Sequence, residues 1–205
     1  MEQITGVDVS HFQGDVNWAD VKNGHYLFAY LKCTGGLTFT DSKFEQNWEG
    51  TKAAGLLRGA YHFYYDNDDP TEQANHFLSV LTSLEATDLA PALDLEGGGM
   101  RSETITVEQY QNDVQTWLDV VEKGLGRKPI IYASPSFANK YLDNTRFAKY
   151  DLWLANYASE PTIPNAWEAV GYTIWQNTST ASVPGIEGHV DHDIFKGTLE
   201  GLQAL

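Results

Sequence analysis

Residues 151–176, "DLWLANYASEPTIPNAWEAVGYTIWQ", contain two short apolar runs that no long helical pattern connects. The runs at 152–156 and 172–176 have the length and the aromatic and aliphatic composition of buried strands. Pro161 and Pro164 lie between them, and proline inside a helix removes a hydrogen bond and clashes with the preceding turn. This stretch therefore predicts two strands that are joined by a loop.

Upstream of this stretch, short apolar runs alternate with segments of helical period, which indicates repeated β-α units and a mostly parallel sheet. Three helix starts support this pattern: Asp69 in "DPTE", Thr106 in the capping box "TVEQ", and Ser134 in "SPS". Eight strands are predicted in all, at residues 4–9, 26–33, 57–65, 89–96, 129–132, 152–156, 172–176 and 190–195.

Eight strands with helices only in the first part predict an α/β fold built as an incomplete TIM-like barrel. The 205 residues are fewer than the roughly 250 of a regular barrel. An open, doubly wound sheet is the competing layout. We expect one domain over residues 1–205, since the sequence shows no internal repeat and no interdomain linker.

The composition argues against several function classes. The net charge of -15 and the lack of any Lys/Arg cluster disfavour binding to nucleic acid or docking on an anionic membrane. The sequence has no uninterrupted run of 18 apolar residues and no signal-peptide pattern, so we expect neither a membrane span nor an export signal. Cys33 is the single cysteine, and we expect it to be a buried, inert thiol.

Acidic residues stand at the ends of several predicted strands, where a parallel barrel carries its active site. Asp8 lies in "GVDVS", Asp94 and Glu96 lie in "PALDLE", and Asp191 lies in "HVDHD". The two-residue period of a strand places Asp94 and Glu96 on one face. Two adjacent carboxylates in a partly desolvated cleft cannot both ionise freely, so one can hold a proton while the other is charged. Glycoside hydrolysis requires this division of labour.

A D-x-E pair alone is a weak signal, because such acids more often cap a loop or face solvent. Aromatic and polar residues predicted at the same strand ends strengthen it. The candidate substrate-binding residues are Tyr61, Tyr64, Tyr157, Trp175, Gln13 and Lys32. For Tyr61 and Tyr157, barrel packing is an equal alternative, and we expect His62 to be a hydrogen-bonded interior histidine.

The run "HVDHD" also has His and Asp at metal-ligand spacing, with His189, Asp191 and Asp193 on one strand face. No second ligand cluster accompanies it, and "EGGGM" lacks the Lys and Ser/Thr of a phosphate-binding loop. We therefore expect no metal and no cofactor.

Eight segments, in order, resemble the glycoside hydrolase family 25 lysozymes, the Chalaropsis-type muramidases. They are "GVDVSHFQGDVNW", "GAYHFYY", "DPTEQANHFL", "PALDLE", "PIIYASPSF", "DLWLANY", "YTIWQ" and "HVDHDIF", and they run from about Gly6 to Phe195. The resemblance implies a flattened barrel with about five β/α units followed by three loop-connected strands. It also implies cleavage of the β-1,4 bond between N-acetylmuramic acid and N-acetylglucosamine in bacterial peptidoglycan, with retention.

By the same resemblance, Glu96 is the proton donor, and Asp94 is the nucleophile or the stabiliser of the substrate's acetamido group. Asp8 and Asp191 are the further acids of the groove, with Asp193 as the alternative to Asp191. Strand geometry leaves the stereochemistry open, because rotamers decide between the roughly 5 Å of retaining and 6.5–9.5 Å of inverting carboxyl pairs.

We expect a monomer that acts on peptidoglycan glycan strands outside the cell, in the cell wall or in the periplasm. Two alternatives remain at this point. One is a non-catalytic glycan-binding module, although all four candidate acids are present. The other is a hydrolase of a different N-acetylated glycan, such as chitin.

Overall fold

The computed structural model describes residues 3–205 and contains, within them, one closed sheet surrounded by helices. The strands are β1 Ile4–Val9, β2 Phe28–Gly35, β3 Phe39–Thr40, β4 Leu57–Phe63, β5 Ala92–Asp94, β6 Ile130–Ala133, β7 Leu152–Ala155, β8 Ile174–Ala181 and β9 Val190–Phe195. The helices are α1 Trp18–Asn23, α2 Phe44–Ala53, α3 Pro70–Val80, α4 Val107–Leu125, α5 Pro135–Tyr141 and α6 Leu199–Gln203.

Eight of the strands form a barrel in the order β1-β9-β8-β7-β6-β5-β4-β2, which closes because β1 also pairs with β2. Neighbours are parallel from β1 through β2 and β4 to β8, whereas β9 runs antiparallel to both β8 and β1. The barrel prediction is confirmed, and the open doubly wound alternative is wrong because its two edges are paired here.

The division into five β/α units and three loop-connected strands is also confirmed. Helices α1 to α5 follow β1, β2, β4, β5 and β6, and the connections after β7 hold no α-helix. Residues 156–173 form a loop that contains a single 3-10 turn, Asn165–Trp167, and Pro164 directly precedes this turn. No helix in the part of the chain that the structure describes is long and apolar enough to cross a bilayer.

Most of the predicted strand bounds are within two residues of the observed ones, and there are three larger differences. The short strand β3, antiparallel to the end of β2, was not predicted. The strand predicted at 89–96 is only Ala92–Asp94, because the chain enters a 3-10 turn, Gly97–Gly99, directly after Glu96. Strand β8 runs on to Ala181, since its antiparallel pairing with β9 extends to Ala181 opposite Val190.

The predicted helix starts are present. The side chains of Asp69, Thr106 and Ser134 each accept a backbone N–H of the first turn, which satisfies donors that have no partner within the helix. The predicted capping box at Thr106 is incomplete, because the Gln109 side chain does not accept the backbone N–H of Thr106; its NH₂ group donates to Asp113 (2.7 Å).

The alternation of each strand divides the buried side chains into two layers. One face packs outward against the helices, where Trp117, Phe77 and Trp167 are completely buried. The other face fills the lower barrel with apolar groups such as Phe28, Tyr30 and Ile174. The inward stripe of several of these strands becomes polar only towards the upper end, and this position defines the site.

Cys33 belongs to the outward layer and is fully buried. Burial raises the pKa of its thiol, and the prediction of a buried, unreactive cysteine agrees with this environment.

Candidate active site

A groove of about 300 Å³ opens at the upper end of the barrel, where the parallel strands β1 to β8 have their carboxyl ends. Its wall contains all four predicted acids, Asp8, Asp94, Glu96 and Asp191. Residues more than 180 positions apart in sequence are brought together because closure of the barrel places β9 beside β1, with Asp8 opposite Asp191.

The end of β5 positions Asp94 and Glu96. Asp94 is the last residue of the strand and is nearly buried, while Glu96 starts the following 3-10 turn and is half-buried. The chain then passes against β4 so closely that a Cβ at Gly99 would lie 2.0 Å from the backbone oxygen of Tyr64. Glycine is therefore required at Gly99 to turn the chain away beneath Glu96.

Both carboxyls of this pair hold protons more strongly than free acids do. Burial raises the pKa of Asp94 well above its ordinary value, and the neighbouring Glu96 raises it further. Burial also raises the pKa of Glu96, and the Lys32 ammonium opposes the rise at both groups. The two acids titrate as a pair, and the deeper burial of Asp94 means that the free groove does not by itself assign the proton to Glu96.

Lys32 reaches the same groove from β2. Its ammonium lies 4.6 Å from the ring centroid of Phe63 and 6.0 Å from that of Tyr61, so the aliphatic stem and the charge are surrounded by aromatic faces. Such a position favours a cation and supplies a positive charge beside Asp94 and Glu96. Lys32, a candidate substrate-binding residue, thus lines the groove, where its charge partly balances that of the acids.

The opposite wall consists of acids from β1 and β9. The Asp8 carboxylate accepts a hydrogen bond from the Gln176 amide (2.7 Å), and burial together with Asp193 and Asp191 raises its pKa. Asp191 lines the groove, and burial and Glu96 raise its pKa to about 6. Asp193 is fully buried below the groove, so the structure places Asp191, and not Asp193, at the groove surface.

Gln176 connects this wall to two tyrosines. Its side-chain oxygen accepts hydrogen bonds from the hydroxyls of Tyr132 (2.9 Å) and Tyr157 (2.8 Å), which forces its NH₂ group towards Asp8. Tyr157 is mostly exposed at the rim, and partial burial with the nearby acids raises its pKa to about 12. Tyr61 lies lower in the groove, edge-on to Trp153.

Gln13 also lines the groove, but its side chain is already used in a hydrogen bond that caps a turn. Its amide oxygen accepts the backbone N–H of Ser10 (2.9 Å), and the Ser10 hydroxyl accepts the N–H of Phe12 (3.3 Å). This reciprocal cap fixes the 3-10 turn His11–Gln13, which presents Phe12 at the rim with 79% of its surface exposed.

Two predicted substrate-binding residues lie elsewhere. Tyr64 is 2% exposed and packs edge-on against Tyr110 in the helix-facing layer. Trp175 faces away from the barrel interior, where its indole donates to the backbone oxygen of Asn156 (2.7 Å). Neither residue lines the groove, because the side chains of adjacent residues alternate: Tyr64 follows the inward-facing Phe63, and Trp175 precedes the inward-facing Gln176.

Other groove residues were missed as binding candidates. Tyr132 was hidden in the apolar run "PIIYA", although its register opposite Asp94 on β5 points it into the groove. Phe63 follows Tyr61 by two residues and shares its face. Phe12 could have been found from the sequence, because it is a large aromatic residue in a turn that begins shortly after the candidate acid Asp8.

None of the histidines lines the groove. His62 is fully buried, where it forms hydrogen bonds with Thr34 (2.7 Å) and Gln73 (3.2 Å), and burial lowers its pKa to about 3. The interior interpretation of His62 is therefore confirmed. Within residues 3–205 no group of three or more His, Cys, Asp and Glu side chains has the arrangement to hold a metal ion.

A second cavity, of about 480 Å³, continues the groove on the other side of Glu96. The two cavities share Glu96, Tyr132 and Tyr157, and the second one extends over Ser136 and Thr162. The upper face therefore offers an extended cleft with Glu96 near its middle, which suits a chain-like ligand that passes across the carboxyl pair.

Comparisons with known proteins agree with this geometry. The model of Glycosyl hydrolases family 25 matches residues 7–186. Lysozyme M1 of Streptomyces globisporus is 33% identical over 98% of this chain and 71% of its own length. The crystal structure of the bacterial lysozyme from Streptomyces coelicolor superposes with a TM-score of 0.93 at 31% identity, covering 100% of this chain and 97% of that one. A muramidase from Trichobolus zukalii gives a TM-score of 0.89 at 31% identity over 98% of both chains. The chain belongs to glycosyl hydrolase family 25 and is a glycoside hydrolase.

Proposed function

We propose that this protein is a lysozyme, an N-acetylmuramidase that hydrolyses the β-1,4 bond between N-acetylmuramic acid and N-acetylglucosamine in bacterial peptidoglycan. The observation that carries the proposal is the position of Glu96, beside Asp94 and at the junction of two cavities that form one cleft. The names of the similar proteins, lysozyme and muramidase, support the same substrate. The protein acts on the cell wall, outside the cytoplasm, as a monomer without a cofactor, and residues 1–205 form one catalytic domain.

The first step needs an acid that reaches the scissile bond. Glu96 is half-buried and has a raised pKa, so it holds a proton in mildly acidic solution and is accessible from both cavities. It transfers this proton to the glycosidic oxygen while the bond from that oxygen to the anomeric carbon breaks.

Asp94 faces the positive charge that develops at the anomeric carbon. Asp94 stabilises this charge in one of two ways. It forms a glycosyl ester with the anomeric carbon, or it orients the substrate's acetamido oxygen, which then attacks the anomeric carbon from the face on which Asp94 lies. The positive charge that develops at the anomeric carbon favours the ionised form of Asp94. The reaction therefore proceeds with Asp94 ionised and with the proton of this carboxyl pair on Glu96. A water molecule then gives a proton to Glu96 and attacks the anomeric carbon, and the bond from this carbon to Asp94 or to the acetamido oxygen breaks, so that the configuration is retained.

The remaining groove residues bind and orient the sugars. Asp191 and the Gln176-held Asp8 accept hydrogen bonds from the substrate, while Tyr61 and Tyr157 pack or donate at its acetamido groups. Lys32 sets the charge balance of the carboxyl pair, and Phe12 offers a flat apolar surface at the rim for a sugar ring. Gln13 acts mainly by fixing the turn that carries Phe12.

The substrate assignment is tested with purified peptidoglycan and with chitin oligomers, each incubated with the protein from acidic to neutral pH. New reducing ends from peptidoglycan and few from chitin are the expected result. Cleavage of chitin alone would assign a different N-acetylated glycan. Co-sedimentation with peptidoglycan and no new reducing ends would make the protein a binding module.

A further inference from the structure

Asp193 is a buried acid that has no role in the proposed reaction. It lies on β9 two residues after Asp191, points into the barrel below the groove, and is completely inaccessible to solvent. Burying a carboxylate is costly unless its oxygens are hydrogen-bonded or its charge is shared. The neighbours of Asp193 therefore have to account for both of its oxygens.

One oxygen has an obvious donor. The indole N–H of Trp153 on β7 donates to Oδ1 of Asp193 at 2.7 Å. The other, Oδ2, is buried and receives no N–H or hydroxyl hydrogen bond from any residue in the described part of the chain. A buried acceptor of this kind needs a hydrogen-bond donor. The remaining candidate is a carboxyl group, which donates only when it is protonated.

The carboxyl of Asp8 is that group. Strand β1 pairs with β9 so that Asp8 lies opposite Asp191 and Gly6 lies opposite Asp193, which puts Asp8 diagonally above Asp193 on the same inward face. The carboxyls of Asp8 and Asp193 are in hydrogen-bonding contact, and the Gln176 amide already donates to Oδ2 of Asp8. Two buried carboxyls in such contact are held together only if one of them carries a proton.

We propose that Asp193 is a positioning residue that shares one proton with Asp8, so that the two acids carry a single negative charge and Asp8 is fixed between Gln176 and Asp193. Its value for catalysis rests on the proposed function of Asp8, but the shared proton itself does not. The pair also limits the negative charge beside Asp191, Asp94 and Glu96.

The surroundings of the pair favour this arrangement. The titratable groups that face Asp193 are Asp8 on β1, Asp191 on its own strand, and the hydroxyl of Tyr30 on β2. The Tyr30 hydroxyl donates to the backbone oxygen of Ala90, so it does not serve Asp193. Burial raises the pKa of Asp193 to about 7, and Asp191 adds to the rise, whereas the Trp153 N–H and the hydrogen bond with Asp8 oppose it.

Asp191 is the rival partner, since it too contacts Asp8. It borders the solvent-filled groove, where water satisfies a carboxylate, and Asp193 has no such access. The enclosed acid therefore gains more from the proton, and the pair with Asp193 is favoured over the pair with Asp191.

The direct test is infrared spectroscopy of the protein at mildly acidic pH, where a protonated carboxyl has its own C=O absorption. In Asp193→Asn, the new amide NH₂ replaces the shared proton as donor to Asp8, while the amide oxygen still accepts from Trp153. We expect this variant to lose the absorption of one protonated carboxyl, and Asp8→Asn to lose the same band. Asp143→Asn removes an exposed acid that does not line the groove and serves as the control. If the band persists in Asp193→Asn, the proposal is wrong.

Unfolding as a function of pH gives a second readout that needs no substrate. In the folded state burial raises the pKa of both acids, so the pair keeps its proton at pH values at which both acids of the unfolded chain, with their ordinary pKa of 3.8, have ionised. Raising the pH from 4 to 7 should therefore destabilise the wild type relative to Asp193→Asn, by up to about tenfold in the unfolding constant per pH unit. Parallel curves for the two proteins would contradict the shared proton.

Kinetics separate positioning from packing. Asp193→Leu leaves the Trp153 N–H without an acceptor and removes the carboxyl that shares a proton with Asp8, and kcat should fall about five- to a hundredfold with KM little changed. Asp193→Asn should retain the wild-type kcat at mildly acidic pH. An equal loss of kcat in both variants would overturn the positioning role. Because the spectra and the unfolding curves are independent of turnover, a protein inactive on peptidoglycan still tests the shared proton.

Discussion

The lower and upper halves of the barrel interior are built on the same inward stripes of the same strands, but they contain opposite kinds of residue. On β2, Phe28 and Tyr30 fill the lower half, and Lys32 is the next inward residue in the groove. On β5, Ala92 is apolar and Asp94 is two residues further on. An apolar residue that packs in the lower half and a polar residue that lines the groove are therefore only two positions apart on a strand, which is about 7 Å.

This contrast shows what each half contributes. The apolar lower half gives the barrel a closed floor of low polarity, and that floor is the reason the pKa values of Asp94, Asp8 and Asp193 are raised. The upper half, with Lys32 and Gln176, decides how the resulting protons and charges are distributed. Substitutions in the two halves should consequently affect different measurements.

The largest effect on activity is expected in the upper half, at Glu96. Glu96→Gln keeps the size and polarity of the side chain but removes the transferable proton, and general acid catalysis contributes about 10²- to 10⁴-fold to a rate. We expect kcat on peptidoglycan to fall by about that factor, measured as reducing ends per time. Unchanged thermal unfolding should show that the fold is intact, and full activity of this variant would remove Glu96 from the mechanism.

The largest effect on stability is expected in the lower half, at Phe28. Its ring is fully buried and lies so close to Gly6 that a Cβ there would approach it to 2.5 Å. Phe28→Ala should lower the free energy of unfolding by about 3–5 kcal/mol, as determined by urea denaturation. The activity per folded molecule should remain close to wild type at low temperature. A stable but inactive variant would contradict the separation of the two halves.

A smaller, rim-specific effect is expected at Phe12. Phe12→Ala removes an exposed aromatic surface from the cleft, and KM should rise about three- to tenfold with kcat unchanged. Val170→Ala is the matched control, since Val170 is also strongly exposed (61%) but does not line the groove. Equal KM values for the two variants would exclude sugar stacking on Phe12.

The most subtle change is expected in the pH profile of Lys32→Met. The Lys32 ammonium lowers the pKa values of both Asp94 and Glu96, so its removal should raise them. Because activity needs Asp94 ionised and Glu96 protonated, both limbs of the pH profile should move to higher pH. An acidic limb that moves to lower pH would show that the charge of Lys32 acts elsewhere.

The alternation rule also explains what the sequence allowed us to predict. The apolar runs predicted the barrel, and the prolines predicted the loss of helices after β7. The order of the motifs predicted the four groove acids. Tyr64 and Trp175 were misplaced because the alternation was applied to Asp94 and Glu96 but not to β4 and β8. The contact of Asp193 with Asp8 depends on the register between the first and last strands, which no local pattern contains.

The central claim is that the upper half of the barrel is the active site of a muramidase. The most direct measurement is the identity of the new reducing end after digestion of purified peptidoglycan and reduction with borohydride. The account predicts reduced N-acetylmuramic acid in the wild-type digest and none with Glu96→Gln. Reduced N-acetylglucosamine as the new end, or no new end at any pH, would contradict it.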